Sequence, residues 1–207
     1  MIIISTDNHI KLTCGIVLLA AGASSRLGKP KQLLPYEGTT LLQHAVQLAV
    51  DAALKPIVIV VGANANILNI EIEESQANIV MNETWQEGMA SSIRTGLQKM
   101  LELEPTVNSV IMMVCDQPYV TVQLLQNLIV QHNETGKLII ASNYKNNLGT
   151  PALFDTTIFS ELMQLKGDTG AKKILNNHPE WVAAIDFPMG EIDIDTEEDY
   201  IALLRHN

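Results

Sequence analysis

The chain has 207 residues, of which 47% are hydrophobic and 17% are charged. This composition is typical of a soluble globular protein, and the length suits a single domain over residues 1–207 with a core from about 14 to 204. The net charge of −10 argues against binding to nucleic acid or to an anionic membrane surface. No apolar run reaches the ~20 residues that cross a bilayer, and the first residues do not resemble a secretory signal. We therefore expect a cytoplasmic protein.

Apolar runs and helical patterns alternate along the chain. Runs that are apolar on both faces predict strands at 15–20, 56–61, 78–81, 109–114 and 137–141, and later strands near 181–185 and 192–194. Helical spacing predicts helices at 40–54, 65–75, 89–103, 121–132, 156–165, 169–176 and about 197–204. Thr39 or Thr40 would cap the first helix, and Gly149-Thr150-Pro151 would break the chain. This alternation predicts an α/β fold: a single doubly wound, mainly parallel sheet with helices on both faces.

The first predicted strand leads into a loop that is small, glycine-bearing and basic. Gly22 lets the backbone approach a bound group, and Arg26, Lys29 and Lys31 supply positive charge. This combination predicts a phosphate-binding loop, and therefore nucleotide chemistry. The alternative is a glycine-rich surface turn with solvated basic side chains. The dinucleotide fingerprint G-x-G-x-x-G and the P-loop pattern are both absent, which disfavours a Rossmann oxidoreductase.

In sheets of this class, ligands bind beyond the carboxyl ends of the strands. We therefore expect the segments that follow strands to line one crevice. These segments are 21–26, 62–64, 82–88, 116–118 and 193–196.

Three aspartates are candidates for holding Mg²⁺ in this crevice. Asp116 directly follows the apolar run 110–115, and Asp193 and Asp195 alternate with isoleucines, so that in a strand both would face one side. The alternative for Asp116 is a turn or helix cap. Thr196 and Asp199 match a capping pattern for the last helix, and the choice between Asp193 and Asp195 is open.

The segment 82–96 leads from a loop into a helix. Gly88 allows close approach, and Ser91 and Ser92 offer hydroxyls and amides near the helix start that could contact a base edge. Ordinary helix capping, with Trp85 packed in the core, explains the same pattern equally well.

Six motifs in order resemble one family. They lie at 19–31 (LAAGASSRLGKPK), 82–96, 116–118 (Asp-Gln-Pro), 149–151 (Gly-Thr-Pro), 167–171 (GDTGA) and 193–199. The chain resembles the molybdenum cofactor cytidylyltransferases, within the larger group of MobA-like nucleotidyltransferases of Rossmann-like fold. The Ala20-Ala21-Gly22 form is similar to the cytidylyl enzymes, whereas the guanylyl enzymes tend to have two glycines there.

The resemblance implies roles for particular residues. Lys31, Arg26 and Asp116 would be catalytic, and Asp116 would hold Mg²⁺ together with Asp193 and Asp195. The nucleotide would be bound by Leu19, Ala20, Ala21, Gly22, Ser24, Arg26, Lys31, Gly62, Gly88, Ser91 and Ser92. The acceptor would be approached by Gly149, Pro151, Gly167, Asp168 and Gly170.

The activity that the resemblance implies is transfer of a cytidylyl group from CTP to the terminal phosphate of molybdopterin, with release of pyrophosphate. An attacking phosphate is already anionic, so no general base is needed. Three alternatives stay open. The protein could be a non-catalytic pterin- or nucleotide-binding accessory protein for a molybdenum hydroxylase, it could use GTP or another NTP, or its acceptor could be another phosphorylated metabolite.

Overall fold

The structure, a computed structural model, describes residues 13–71 and 76–206. The expectations for the first twelve residues, and for the last four of the predicted helix 65–75, lie outside these ranges. The strands are β1 Cys14–Leu19, β2 Pro35–Tyr36, β3 Thr39–Thr40, β4 Ile57–Val61, β5 Asn78–Met81, β6 Ser109–Val114, β7 Ile139–Tyr144, β8 Asn147–Asp155 and β9 Val182–Asp186. The α-helices are α1 Leu41–Asp51, α2 Ala65–Glu71, α3 Met89–Leu103, α4 Val122–Thr135, α5 Phe159–Met163, α6 Lys172–Asn177 and α7 Glu197–His206.

Seven strands form one sheet in the order β5-β4-β1-β6-β8-β7-β9, and β2 and β3 form a separate hairpin. Neighbouring strands pair in parallel except that β8 runs antiparallel to both β6 and β7. The predicted α/β class, with a mainly parallel sheet covered by helices, is therefore confirmed.

The core lies on both faces of the sheet. Along β4, Ile57, Ile59 and Val61 contribute to one apolar cluster, while Val58 and Val60 contribute to the other. Helices α1 and α4 pack on the first face, and α3, α5 and α6 pack on the second. No helix among the described residues has the length and apolar character needed to span a membrane.

Two predicted helix starts are confirmed in detail. Thr40 caps α1 in a reciprocal capping box with Gln43. At α7, the Asp199 amide donates to Thr196 Oγ1 at 3.2 Å, and the Thr196 amide donates to Asp199 Oδ2 at 2.8 Å. This cap sets the start of α7 at Glu197, two residues after Asp195.

Two sequence-based assignments in the later part of the chain were wrong. The predicted strand at 192–194 does not form; a 3-10 helix at Pro188–Glu191 precedes it, and the Ile194 amide donates a single backbone bond to the Asp116 carbonyl at 3.0 Å. The Gly149–Pro151 break instead lies inside strand β8. Gly149 pairs there with Ser142 of β7, and the pairing of β7 with β8 shifts register before it resumes at Ala152. Pairing on both sides of the turn residues therefore keeps this segment in the strand.

Candidate functional site

The basic loop after β1 is fixed by a buried side chain. Gln32 is 1% exposed, and its Nε2 donates to the carbonyls of Ala20 (2.9 Å) and Gly22 (3.1 Å). Among the residues the structure describes, the amides of Gly22, Ala23 and Ser24 donate to no protein acceptor. With its carbonyls held by Gln32, the loop can offer its amides to an anion.

Lys31 lies at the centre of a charged group beside this loop. Its ammonium forms ion pairs with Asp116 and with Asp195 Oδ1, the second at 2.8 Å, and its side chain is 17% exposed. Its backbone amide donates to Ser24 Oγ at 3.1 Å. Burial alone would lower the pKa of Lys31, but the two carboxylates outweigh burial and raise it. The side chain therefore carries a fixed positive charge at neutral pH.

Asp116 presents one satisfied and one unsatisfied oxygen. Oδ2 pairs with Lys31, whereas Oδ1 is buried and has no hydrogen-bond partner among the described residues. A buried anionic oxygen without a donor is costly, and a bound cation would satisfy it.

Burial, reinforced by the Asp116 charge, raises the pKa of the adjacent Cys115 thiol to about 12, so this thiol is not a thiolate nucleophile at neutral pH.

Asp193 and Asp195, the two late aspartates, flank Ile194. They lie beside Asp116 because the Ile194 amide donates to the Asp116 carbonyl. Asp195 bridges two cations, with Oδ1 on Lys31 and Oδ2 on Arg26 Nη1, both at 2.8 Å. Burial, followed by the charges of Asp116 and Asp195, raises the pKa of Asp193. Within 13–71 and 76–206, no three His, Cys, Asp or Glu side chains form a ready-made metal site. Lys31 lies between the two carboxylates that it joins.

The start of α3 packs tightly against the turn at Gly167–Thr169. Gly88 has φ +106°, and a Cβ there would overlap Asp168 Oδ1 and lie 2.7 Å from the Gly167 carbonyl carbon. The hydroxyls of Ser91 and Ser92 are buried and accept from Asn82 Nδ2 at 2.8 and 3.0 Å. Both serines therefore have a structural role.

Two adjoining cavities lie at the carboxyl end of the sheet. The polar crevice, about 430 Å³, is lined by Ala21–Ala23, Lys31, Gln32, Trp85, Ser92 and Asp116, among others. The apolar cavity, about 280 Å³, is lined by Ile93, Met112, Tyr144, Leu148, Phe154 and Leu175, among others. Both share Leu19, Met89, Val114 and Asp168.

The structure brings many of the predicted nucleotide residues to the polar crevice. Leu19, Ala21, Gly22, Lys31, Gly88 and Ser92 line it, and so does Asp116, which was predicted to be catalytic and to hold Mg²⁺. Ala20 and Gly62 lie behind the loop: Ala20 is 2% exposed, and a Cβ on Gly62 would lie 2.8 Å from the Ala21 carbonyl oxygen. Ser24, Arg26 and Ser91 do not line the crevice. They form hydrogen bonds around it, with the Lys31 amide, the Asp195 carboxylate and the Thr84 carbonyl, respectively.

The predicted acceptor residues are divided. Gly149, Asp168 and Gly170 line the apolar cavity, whereas Pro151 and Gly167 line neither cavity. The Pro151 carbonyl instead accepts from Ser142 Oγ at 2.7 Å, inside the sheet.

Sequence reasoning missed two polar side chains that hold these walls. One is Gln32, and the other is Arg94, which donates to Glu87 Oε2 at 3.0 Å and to the Leu165 carbonyl. Arg94 thereby joins the two segments that meet at Gly88 and Asp168. Neither residue carries a sequence signal, because polar residues beside a basic loop or on a helix are usually solvated.

Comparison with known proteins agrees with this architecture. The sequence profile of the MobA-like NTP transferase domain matches residues 16–182. The nicotine blue oxidoreductase of Paenarthrobacter nicotinovorans is 34% identical over 200 residues, covering 91% of this chain and 95% of that protein. The molybdenum cofactor cytidylyltransferase of Escherichia coli K12 is 23% identical over 188 residues, covering 89% and 92%.

A solved structure gives the same result. Rv0371c of Mycobacterium tuberculosis H37Rv superposes with a TM-score of 0.77 and 32% identity, covering 93% of this chain and 98% of that one. A structure of Rv0371c in complex with manganese superposes with a TM-score of 0.74 and 28% identity, covering 94% and 100%. The resemblance inferred from the motifs is confirmed at the level of the family. The chain belongs to the family of proteins that carry the MobA-like NTP transferase domain.

Proposed function

We propose that this protein transfers a cytidylyl group from CTP to the terminal phosphate of molybdopterin or its molybdenum form. The proposal is supported most by the ion-pair group of Lys31, Asp116 and Asp195, in which 85 and 164 positions separate Lys31 from the two aspartates. Lys31 and Asp116 of this group line the polar crevice. These are the charges that phosphoryl chemistry requires: a fixed cation for the phosphates and carboxylates for a divalent ion. The family supports an NTP as the donor.

The reaction is an in-line displacement. An oxygen of the acceptor phosphate attacks the α-phosphorus of CTP, the bond to the oxygen that bridges the α- and β-phosphates breaks, and pyrophosphate leaves. The amides of Gly22–Ser24 and the Arg26 guanidinium hold the departing phosphates. Lys31 neutralises charge that develops on the α-phosphate, and its two carboxylate partners hold the ammonium in place beforehand.

The carboxylates present fit a divalent cation. Asp116 Oδ1 is an oxygen ligand with no hydrogen-bond partner among the residues that the structure describes, and Asp195 is the second carboxylate on the same lysine. Mg²⁺ is commonly held by one or two carboxylates together with substrate phosphates, so a closed three-residue cluster is not needed. The manganese complex of Rv0371c supports a divalent ion in this role. Such an ion would neutralise phosphate charge and polarise the reacting phosphoryl group.

The test is pyrophosphate release by the purified protein with each of the four NTPs. Each is assayed with and without molybdopterin, and with Mg²⁺, with Mn²⁺ or with EDTA. We expect release that requires CTP, the pterin and a divalent ion together. Release with a polyol phosphate in place of the pterin would keep the reaction type and replace the acceptor.

A second candidate, oxidoreduction, is favoured by the name of the 34%-identical relative. The sequence lacks the G-x-G-x-x-G fingerprint, and the loop after β1 is cationic. NAD(P)H oxidation in place of pyrophosphate release would support it. Tight pterin binding with neither reaction would instead support an accessory protein that delivers the pterin to a molybdenum hydroxylase.

A further inference from the structure

A tyrosine that none of the motifs includes lines the apolar cavity. Tyr144 is the last residue of β7, and a two-residue turn, Lys145-Asn146, with φ +49° and +60°, joins β7 to β8. The β7–β8 pairing shifts register between Ala141 and Ser142, two residues before Tyr144. Irregularities of this kind re-aim the side chains that follow them.

Two glycines make room for the Tyr144 ring. A Cβ on Gly149 would overlap the Tyr144 hydroxyl, and a Cβ on Gly190 would lie 2.6 Å from ring carbon Cδ1. Phe187 packs edge-on against the ring, with centroids 6.5 Å apart. Gly149, to which the resemblance assigns a place at the acceptor, thus also leaves space for Tyr144. The ring is held on several sides, so its hydroxyl has a defined position.

The Tyr144 hydroxyl lies beside a network of hydrogen bonds that includes Gln117, the residue after Asp116. The side chains of Gln117 and Thr150 interact with the Tyr144 hydroxyl and act to lower its pKa. Thr150 Oγ1 donates to Gln117 Oε1 at 3.1 Å, and Gln117 Nε2 donates to the Gly190 carbonyl at 2.8 Å. Gln117 is buried and directly follows Asp116. Burial, with the nearby charges of Asp193 and Asp116, raises the pKa of Tyr144, so its phenol keeps its proton.

The surroundings of this hydroxyl are apolar. The other polar side chains on the cavity wall are Thr150, in the same network, and Asn147, Asp168 and Lys172, which are exposed. In cavities of this kind, a few fixed polar groups decide which ligand binds and in which orientation. A polyol would leave most of its hydroxyls unpaired against Met112, Phe154 and Leu175, at a cost for each.

We propose that the apolar cavity takes a planar ring with a hydrogen-bond acceptor at its edge, and that Tyr144 is the residue that selects and orients it. The inference rests on the proposed function, because it describes the acceptor of that reaction. The ring packs against the apolar wall, and its edge faces the Tyr144 hydroxyl. The phosphate on the ring substituent is then directed toward the polar crevice, which shares a wall with this cavity.

The test measures binding without turnover. The probe is 6-hydroxymethylpterin, followed by its own fluorescence, with sorbitol 6-phosphate as competitor. The variants are Tyr144→Phe, which removes only the hydroxyl, and Gly149→Ala, which must displace it. Tyr119→Phe is the matched control, since Tyr119 is a half-buried tyrosine that lines neither cavity.

We expect pterin to bind the wild-type protein and Tyr119→Phe equally, and to bind Tyr144→Phe and Gly149→Ala about tenfold more weakly, as for the loss of one buried hydrogen bond. Sorbitol 6-phosphate should not compete. In turnover, Tyr144→Phe should raise the KM for the pterin and leave the KM for CTP unchanged, a division that general loosening of the fold would not produce.

Equal pterin binding by wild type and Tyr144→Phe would overturn the role of Tyr144. Displacement by sorbitol 6-phosphate, or no pterin binding at millimolar concentration, would overturn the ring-shaped ligand. The proposed nucleotidyl transfer fails separately, through absence of pyrophosphate release with any NTP and any phosphorylated acceptor.

Discussion

The polar crevice and the apolar cavity share four lining residues but are built in opposite ways. Lys31 and Asp116 line the crevice and pair with each other. Asp195 lies beside the crevice and pairs with both Lys31 and Arg26. In the cavity, the wall is aliphatic, aromatic and sulfur-containing, and its fixed polar atoms belong to one small network. The crevice therefore offers a ligand charges that are fixed before it binds, whereas the cavity offers an apolar wall with a few fixed polar atoms. Substitutions in the crevice should therefore affect rate most, and substitutions in the cavity should affect acceptor choice.

The largest effect is expected for Lys31→Ala. Removing the fixed charge should lower kcat/KM for pyrophosphate release by about 10³-fold, as for the loss of a group that stabilises the transition state. Lys29→Ala is the matched control: it lies in the same loop, but its exposed ammonium pairs with Glu197 outside the crevice. Near-normal release by Lys31→Ala, with the fold intact by circular dichroism, would remove the crevice from the mechanism.

The two late aspartates should differ in effect. Asp195→Asn takes a carboxylate from Lys31 and Arg26, and we expect about a 10²-fold loss of kcat with weaker Mn²⁺ binding, measured by electron paramagnetic resonance. Asp193→Asn should lose less than about tenfold, because no ion pair ties Asp193 to the loop cations within the part of the chain that the structure describes. A reversed order would make Asp193 the second metal ligand.

Gly88→Ala tests the wall between the two cavities. Its Cβ would overlap Asp168, and its φ of +106° is unfavourable for alanine. We expect a loss of about 1–3 kcal/mol of stability, and raised KM values for both CTP and acceptor. Gly22→Ala is the control, because a Cβ there meets no atom of residues 13–71 or 76–206 within 4 Å; its melting temperature should not change. Equal melting temperatures for the two variants would contradict the contact with Asp168.

Gln32→Leu should affect the loop on the polar side only. Without the amide, the carbonyls of Ala20 and Gly22 lose their donor, at a cost of about 1–3 kcal/mol in denaturant unfolding. The KM for CTP should rise, and pterin binding to the apolar cavity should be unchanged. Gln98→Leu, an exposed position on α3, is the control. A parallel loss of pterin binding would indicate that the two cavities are not independent.

The smallest effect is a pH dependence at Asp193. Folding raises the pKa of Asp193 above its ordinary value of 3.8. The protonated Asp193 therefore contributes stability in full at pH values below 3.8, and this stability is lost as pH rises through the raised pKa. Asp193→Asn resembles the protonated form. Its melting temperature should therefore exceed that of the wild type at pH 7, and the two should converge near pH 3.5. A difference that is the same at both pH values would show that carboxylate repulsion is not its source.

The sequence predicted best what depends on the parallel strands. The loop after β1 and Asp116 after β6 follow directly from apolar runs and the position of strand ends, and α3 was predicted with its observed bounds at Met89–Leu103. The antiparallel strand β8 was missed, because Gly149 and Pro151 are typical turn residues. In the fold, Gly149 pairs with β7, and the strand continues beyond Pro151 because residues 152–155 pair with β6. The alternating Ile and Asp at 192–195 was typical of a strand, but the segment is fixed there by one bond to Asp116.

Side chains that act through tertiary contacts could not be found from spacing. Gln32, Arg94 and Tyr144 belong to no pattern of chemistry in the chain. Their roles arise because they meet the carbonyls of a loop, two separate turns, and the space left by two glycines. Gly62 and Gly149 show the same limit: sequence motifs suggested contacts with ligands, and only the fold shows that the two glycines also provide space for Ala21 and Tyr144.

In the proposed mechanism, the loop cations and Asp116 meet on one metal-bound triphosphate. Isothermal titration of CTP into the wild-type protein and into Asp116→Asn, each with Mg²⁺ and with EDTA, tests this directly. We expect Mg²⁺ to tighten CTP binding to the wild type at least tenfold, and this gain to disappear in Asp116→Asn. An equal gain from Mg²⁺ in both proteins would contradict the proposed mechanism.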